Sequence, residues 1–199
     1  MTSLLTGRWV LRVCCTAAVF MASTSGVQTA DAASPALTPV ASIDLNRYQG
    51  TWYQLALYPN RFQAQCMANT RALYALQEDG TVSVTNQCRA VDGKAVEAVG
   101  QAKPAAAASV SQGQLAPPQL KVRFAPRWLA WLPLVWGDYW VIQLAADYRY
   151  AVVGEPQREF LWVLARSTSL VEADWAAINA RLTEQGYDPS RLVREKHTP

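Results

Sequence analysis

Cysteine and histidine are the residue types most able to supply a nucleophile or a metal site, and this chain holds four cysteines and one histidine in 199 residues. Cys14 and Cys15 fall inside an N-terminal leader. Arg8 and Arg12 precede an apolar stretch from Val13 to Ala22 and a small-residue Ala30-Asp31-Ala32 site, the pattern of a secretory signal peptide cleaved after Ala32. The apolar stretch is much shorter than the roughly 20 residues a spanning helix needs. Neither leader cysteine follows the small residue that lipid attachment requires. Export leaves Cys66 and Cys88 in an oxidising compartment, where a disulfide is expected. Closing a loop of that size stabilises a fold by about 3 kcal/mol on the chain-entropy account. His197 lies close to the C-terminus. One imidazole and two oxidised thiols make neither a zinc site nor a Cys/His pair, so no catalytic residue, metal or cofactor is expected.

The other unusual feature is apolar. Trp128-Leu129-Ala130-Trp131-Leu132-Pro133-Leu134-Val135-Trp136 lacks any polar side chain and follows Arg127. Connections are normally polar, so such a run belongs either to a core or to a surface that meets something greasy. Three indoles beside a cation suit a bilayer interface, and Trp128, Leu129, Trp131, Leu132 and Trp136 are expected to form a lid or a membrane-touching tip. A net charge of +3, with 17% charged and 51% hydrophobic residues, describes a folded chain rather than a disordered one. No basic run points to nucleic acid.

The elements that must position these residues read as strands. Short apolar or alternating runs recur at 50–57, 70–76, 81–88, 95–102, 120–124, 139–144, 150–153 and 160–165. Asp79-Gly80, Asp92-Gly93 and Gly154-Glu155-Pro156 mark turns between them. Leu120, Val122 and Phe124 alternate with Lys121 and Arg123, and Trp140, Ile142 and Leu144 alternate with Val141 and Gln143, which predicts two one-sided apolar faces. A capping-box pattern at Ser169-Leu170-Val171-Glu172 opens a helix whose stripe is Val171, Trp175, Ile178 and Leu182, ending before Gly186. Residues 33–42 read as a flexible arm, 43–199 as one barrel domain, and 103–118 as a long Ala- and Pro-rich connection.

Gly50-Thr51-Trp52-Tyr53 resembles the Gly-x-Trp-Tyr signature that opens the first strand of lipocalins. Ala146-Asp147-Tyr148-Arg149-Tyr150-Ala151-Val152-Val153 resembles the second family block, and Trp162-Val163-Leu164-Ala165-Arg166 the third, in the family's order. With Arg61-Phe62, Val84-Thr85-Asn86 and Tyr139-Trp140-Val141-Ile142, the resemblance covers roughly 43–193 and is nearest to bacterial outer-membrane lipocalins and apolipoprotein D. It implies an all-β fold, an eight-stranded antiparallel up-and-down barrel with one C-terminal helix on its outside. Gly50, Trp52, Asp147, Tyr148 and Arg166 are then structural motif residues, with Arg166 packed on Trp52 at the closed end.

The resemblance implies a binding protein rather than an enzyme, one that stores or carries a small hydrophobic ligand such as a fatty acid or lysophospholipid. The chain would work as a monomer or weak dimer in the periplasm or at the outer membrane. A lipocalin-fold isomerase using a free cysteine and a membrane-docking structural role are the alternatives. Alternation counted from Trp52, with the resemblance at Tyr74 and Trp140, places Ala56, Tyr74, Val84, Leu120, Val122, Phe124, Trp140, Ile142 and Tyr150 in a lumen wide enough for a lipid tail.

Overall fold

The computed structural model describes residues 36–105 and 115–198. The leader, its cleavage site and most of the long connection lie outside the described residues. Eight strands form the barrel: β1 (Gly50–Leu57), β2 (Cys66–Leu76), β3 (Val82–Ala90), β4 (Ala95–Pro104), β5 (Gln119–Arg123), β6 (Gly137–Leu144), β7 (Tyr150–Gly154) and β8 (Leu161–Ala165). Each pairs antiparallel with the next, and β8 closes the sheet on β1 with Trp162 opposite Leu57 and Ala165 opposite Tyr53. Closure removes the free edges that eight short strands would otherwise expose. A short α1 (Leu45–Tyr48), capped by the Asp44 carboxylate on the Asn46 and Arg47 amides, precedes β1. A ninth strand, β9 (Val193–Arg194), adds to β1 beside Leu57 and Ala56. Ile43–Asp44 pairs with Leu115–Ala116 in a separate two-stranded ladder.

The apolar side chains separate into two layers. Trp52, Tyr74, Val84, Leu120, Val141, Val153 and Leu164 pack inside the barrel with Tyr48. Leu55, Ala56, Ile142, Tyr150, Val152, Val163 and Ala165 face outward and are covered by Trp175, Ile178 and Leu182 of α2 (Glu172–Glu184). The expected capping box is absent. Val171 takes the N-cap position with no side-chain hydrogen bond and is largely exposed, so it leaves the apolar stripe.

Two bulges decide which residue faces which layer. Val163 opposes Ala56 while Leu164 opposes Gln54, leaving Leu55 as an extra residue in β1. Val141 opposes Val153 while Gln143 opposes Val152, leaving Ile142 extra in β6. An extra residue reverses the alternation beyond it. Ala56 therefore faces outward, although an unbroken count from Trp52 sends it inward. In β6 it is Tyr139, Val141 and Leu144 that turn in. Trp140 and Ile142, expected in the lumen, pack in the outer layer, and Tyr150 joins them opposite Ala165.

Residues 36–41, read from composition as part of an arm, are docked. The Val40 amide donates to the Val141 carbonyl at 2.9 Å, the Thr38 amide donates to Gln185 Oε1 at 2.7 Å, and Leu37 packs in the outer layer.

Candidate functional site: the barrel interior and its rim

The closed end is built on Arg166. Its guanidinium lies 3.9 Å from the centroid of the Trp52 ring, and it donates to the carbonyls of Thr51 at 2.8 Å and Arg47 at 2.6 Å. Gly50 makes this possible: its φ of +90° suits glycine, and a β-carbon there would sit 3.4 Å from the Arg166 guanidinium. The buried Trp52 indole N–H donates to the Tyr48 carbonyl at 2.7 Å. The Asp44 amide donates to the Tyr148 hydroxyl at 2.9 Å, and Arg47 stacks 3.9 Å from the Tyr148 ring centroid. Asp147 accepts from the Arg149 amide and guanidinium, and Arg149 bridges to Asp174 of α2 at 2.5 Å. These motif residues tie α1, β1, the β6–β7 turn and α2 together. They shape the floor of the barrel rather than its cavity.

Above that floor stand three tyrosines. The Tyr139 hydroxyl lies 3.0 Å from the Tyr48 hydroxyl and 3.0 Å from that of Tyr74. Burial pushes the Tyr74 phenol up to about 12 and lifts Tyr48 and Tyr139 well above the ordinary phenol value, so all three stay neutral. A cavity of about 10 Å³ remains beside the trio, lined by Leu45, Tyr48, Tyr74, Val84, Leu120, Val122 and Tyr139 among others. That is room for about one water. The tyrosine rings thus pack inside the barrel beside a small apolar cavity.

Of the nine residues expected in the lumen, Tyr74, Val84, Leu120 and Val122 line this cavity. Ala56, Trp140, Ile142 and Tyr150 do not, for the bulge and register reasons given above. Phe124 is the fifth departure. It follows the last paired residue of β5, its ring covers Gly100, where a β-carbon would come within 2.7 Å of it, and 43% of it is exposed. Tyr48 and Tyr139 were missed. Tyr48 sits in a four-residue helix that has no period to read, and Tyr139 belongs to the other possible phase of β6.

Toward the other end of β1 the interior becomes polar. Gln54, which is buried, donates to Glu195 at 2.6 Å and accepts from Gln63 at 2.8 Å, and the Trp162 indole donates to Gln63 at 2.8 Å. Glu195 also accepts from the Thr70 amide at 2.6 Å. The chain beyond β9 thereby stitches β1 to β2 where their own ladder has ended. The disulfide forms as expected between Cys66 and Cys88, leaving no free thiol among the described residues. No group of metal-ligating side chains occurs among the described residues.

The apolar connection does not fold into the core. Trp128, Trp131 and Leu134 are 74%, 76% and 94% exposed, while Leu129 and Leu132 are half-buried. Trp136 anchors the segment: its indole N–H donates to the Ala130 carbonyl at 2.8 Å, and Lys103 and Arg123 face its ring at 4.2 and 5.1 Å.

Residues 43–197 match the family described as Lipocalin-like domain. This chain belongs to the lipocalin family. It is 37% identical to temperature-induced lipocalin-1 of Arabidopsis thaliana over 154 residues, 77% of this chain and 78% of that protein. With outer membrane lipoprotein Blc of Escherichia coli it shares 30% identity over 158 residues, 79% of this chain and 81% of Blc. The solved structure of insecticyanin from the tobacco hornworm Manduca sexta superposes with a TM-score of 0.61 at 20% identity, covering 82% of this chain and 86% of that one, a likeness of fold alone. The barrel order and the flanking helix are therefore the lipocalin architecture.

Proposed function

We propose that this lipocalin binds a small hydrophobic ligand of the fatty acid or lysophospholipid class inside its barrel and carries it, without chemistry of its own. The supporting observation is the separation of the two layers. The outer one, under α2, holds the fold, while the inner one keeps a small apolar cavity against Tyr48, Tyr74, Val84, Leu120, Val122 and Tyr139. A ligand enters by pushing those rings aside. About twelve methylenes offer on the order of 10 kcal/mol. Lost rigid-body freedom costs about 4–15 kcal/mol, and moving packed rings adds to that cost, so the expected affinity is on the order of tens of micromolar or weaker. Titration with a fluorescent fatty acid tests the reading: one saturable site is expected, and Val84→Trp, which fills the chamber, abolishes it. Binding left unchanged by Val84→Trp would place the site elsewhere.

The leader pattern and the likeness to an outer-membrane lipoprotein support export to the periplasmic face of the outer membrane, as a monomer or weak dimer. The exposed Trp128, Trp131 and Leu134, with Arg127 beside them, suit contact with an anionic bilayer. Co-sedimentation with anionic liposomes is the test. A triple serine variant at 128, 131 and 134 should stay in the supernatant, and equal pelleting of both proteins would remove the contact.

A further inference from the structure

We infer that the Tyr48–Tyr139–Tyr74 trio is the polar recognition element of the chamber, and that the ligand is an apolar molecule carrying an uncharged carbonyl oxygen at the end that enters first. This rests on the lumen reading above and narrows it.

Each phenol has one O–H to donate and lone pairs to accept. Tyr139 stands in the middle, 3.0 Å from each partner hydroxyl, so three protons are distributed over two hydrogen bonds. One O–H is therefore left without an acceptor among the described residues. A third internal bond would need the Tyr48 and Tyr74 hydroxyls to meet, and the trio's two hydrogen bonds both run to Tyr139 instead. Nor can it ionise, because burial holds all three protons in place. A buried donor without a partner is costly, and whatever supplies an acceptor is selected for it.

The surroundings narrow the acceptor. Besides the tyrosines the cavity is lined by Leu45, Val82, Val84, Ala102, Leu120 and Val122, all aliphatic, and by Gln49, whose Oε1 already accepts from the Leu76 amide. A carboxylate there would bring an unpaired charge out of water. The nearest cation of the floor, Arg166, is already committed to two carbonyls and the Trp52 ring. An ammonium would bury a charge and offer no acceptor to the spare O–H. A ketone, ester or un-ionised carboxyl oxygen meets the spare O–H with no charge to bury, and its alkyl remainder takes the aliphatic wall.

Dodecane and 2-dodecanone, each competing against a fluorescent fatty acid, separate the oxygen from the chain. In the Tyr48→Phe/Tyr74→Phe/Tyr139→Phe protein the ring shapes persist and no hydroxyl of the trio remains. The ketone should lose about tenfold in affinity, the worth of one hydrogen bond, while the alkane stays within twofold. Tyr139→Phe has the opposite sign. It breaks both internal hydrogen bonds and leaves two phenols without acceptors, so the ketone should bind at least as tightly as in the unaltered protein. A purely structural trio would weaken both ligands in both variants alike, and that result, or no change in either ligand, overturns the assignment while leaving the lumen reading intact. If neither compound displaces the probe from the unaltered protein, the lumen reading falls with it.

Discussion

Strand β6 offers the sharpest test, because a shift of one residue in its register exchanges the lumen for the helix interface. Ile142 is fully buried but packs in the outer layer with Ile178 and Leu182 of α2, whereas its neighbour Val141, equally buried, faces the interior. Ile142→Ala removes three carbons. At about 0.8 kcal/mol each the transfer loss is about 2.4 kcal/mol. The cavity left under a rigid helix brings the total to about 3–4 kcal/mol, within the range for such truncations. At roughly 2–4 °C per kcal/mol for a domain of this size, the melting temperature should fall by about 10 °C. Affinity for a fluorescent fatty acid should stay within twofold, because no lumen atom has gone. Val141→Phe does the reverse: overpacking costs about 1–3 kcal/mol, and ligand binding drops at least tenfold as the new ring crowds the inner layer in which the chamber lies. Trp140→Ala, also on the outer side, should leave affinity unchanged. Calorimetry and titration on these variants give two independent numbers for each. If Ile142→Ala or Trp140→Ala weakened the probe while Val141→Phe left it bound, the bulge at Ile142 would be misplaced and the account of the lumen with it.

Other expectations follow from single contacts. Reducing the Cys66–Cys88 bond, or replacing both residues by alanine, should lower stability by about 3 kcal/mol in denaturant unfolding, because the bond closes a loop of 22 residues' separation. No loss would mean that the reduced chain keeps the same constraint by other contacts. Arg166→Met should cost about 2–3 kcal/mol by leaving the Thr51 and Arg47 carbonyls without their donor, with ligand affinity changed little. A variant as stable as the parent would deny Arg166 its role in the floor. The Asp174 carboxyl is held below the ordinary aspartate range, chiefly by the Arg149 hydrogen bonds. A carboxylate with a depressed folded pKa contributes stability that is complete above the unfolded value near 4 and is lost as pH falls through the folded one. Melting temperature should therefore decline on acidification below about pH 4, and less steeply in Asp174→Asn. Parallel declines in the two proteins would exclude this pair as a cause.

Much of the architecture follows from local chemistry and could be read along the chain. Period-two alternation, Asp-Gly turns and the stripe of Trp175, Ile178 and Leu182 need only neighbours in sequence to declare a strand, a hairpin and an amphipathic helix. The disulfide was legible because, once the leader is set aside, two thiols leave one pairing. Val84, Leu120 and Val122 were placed by alternation within strands that carry no bulge near them, and Tyr74 by the family resemblance.

Ala56, Trp140, Ile142 and Tyr150 were not legible, and the reason is geometric. A strand buried on both faces, with the lumen on one side and α2 on the other, is apolar at successive positions and gives no sign of which face is which. Only the pairing of β1 with β8 and of β6 with β7 locates the extra residues Leu55 and Ile142. The tyrosine trio depends on tertiary structure still more. Its members lie 26 and 65 residues apart along the chain, in α1, β2 and β6. Their hydroxyls meet because the barrel closes. Local sequence determined that this lipocalin has strands and a helix with greasy faces, while long-range pairing decided which grease a ligand could touch.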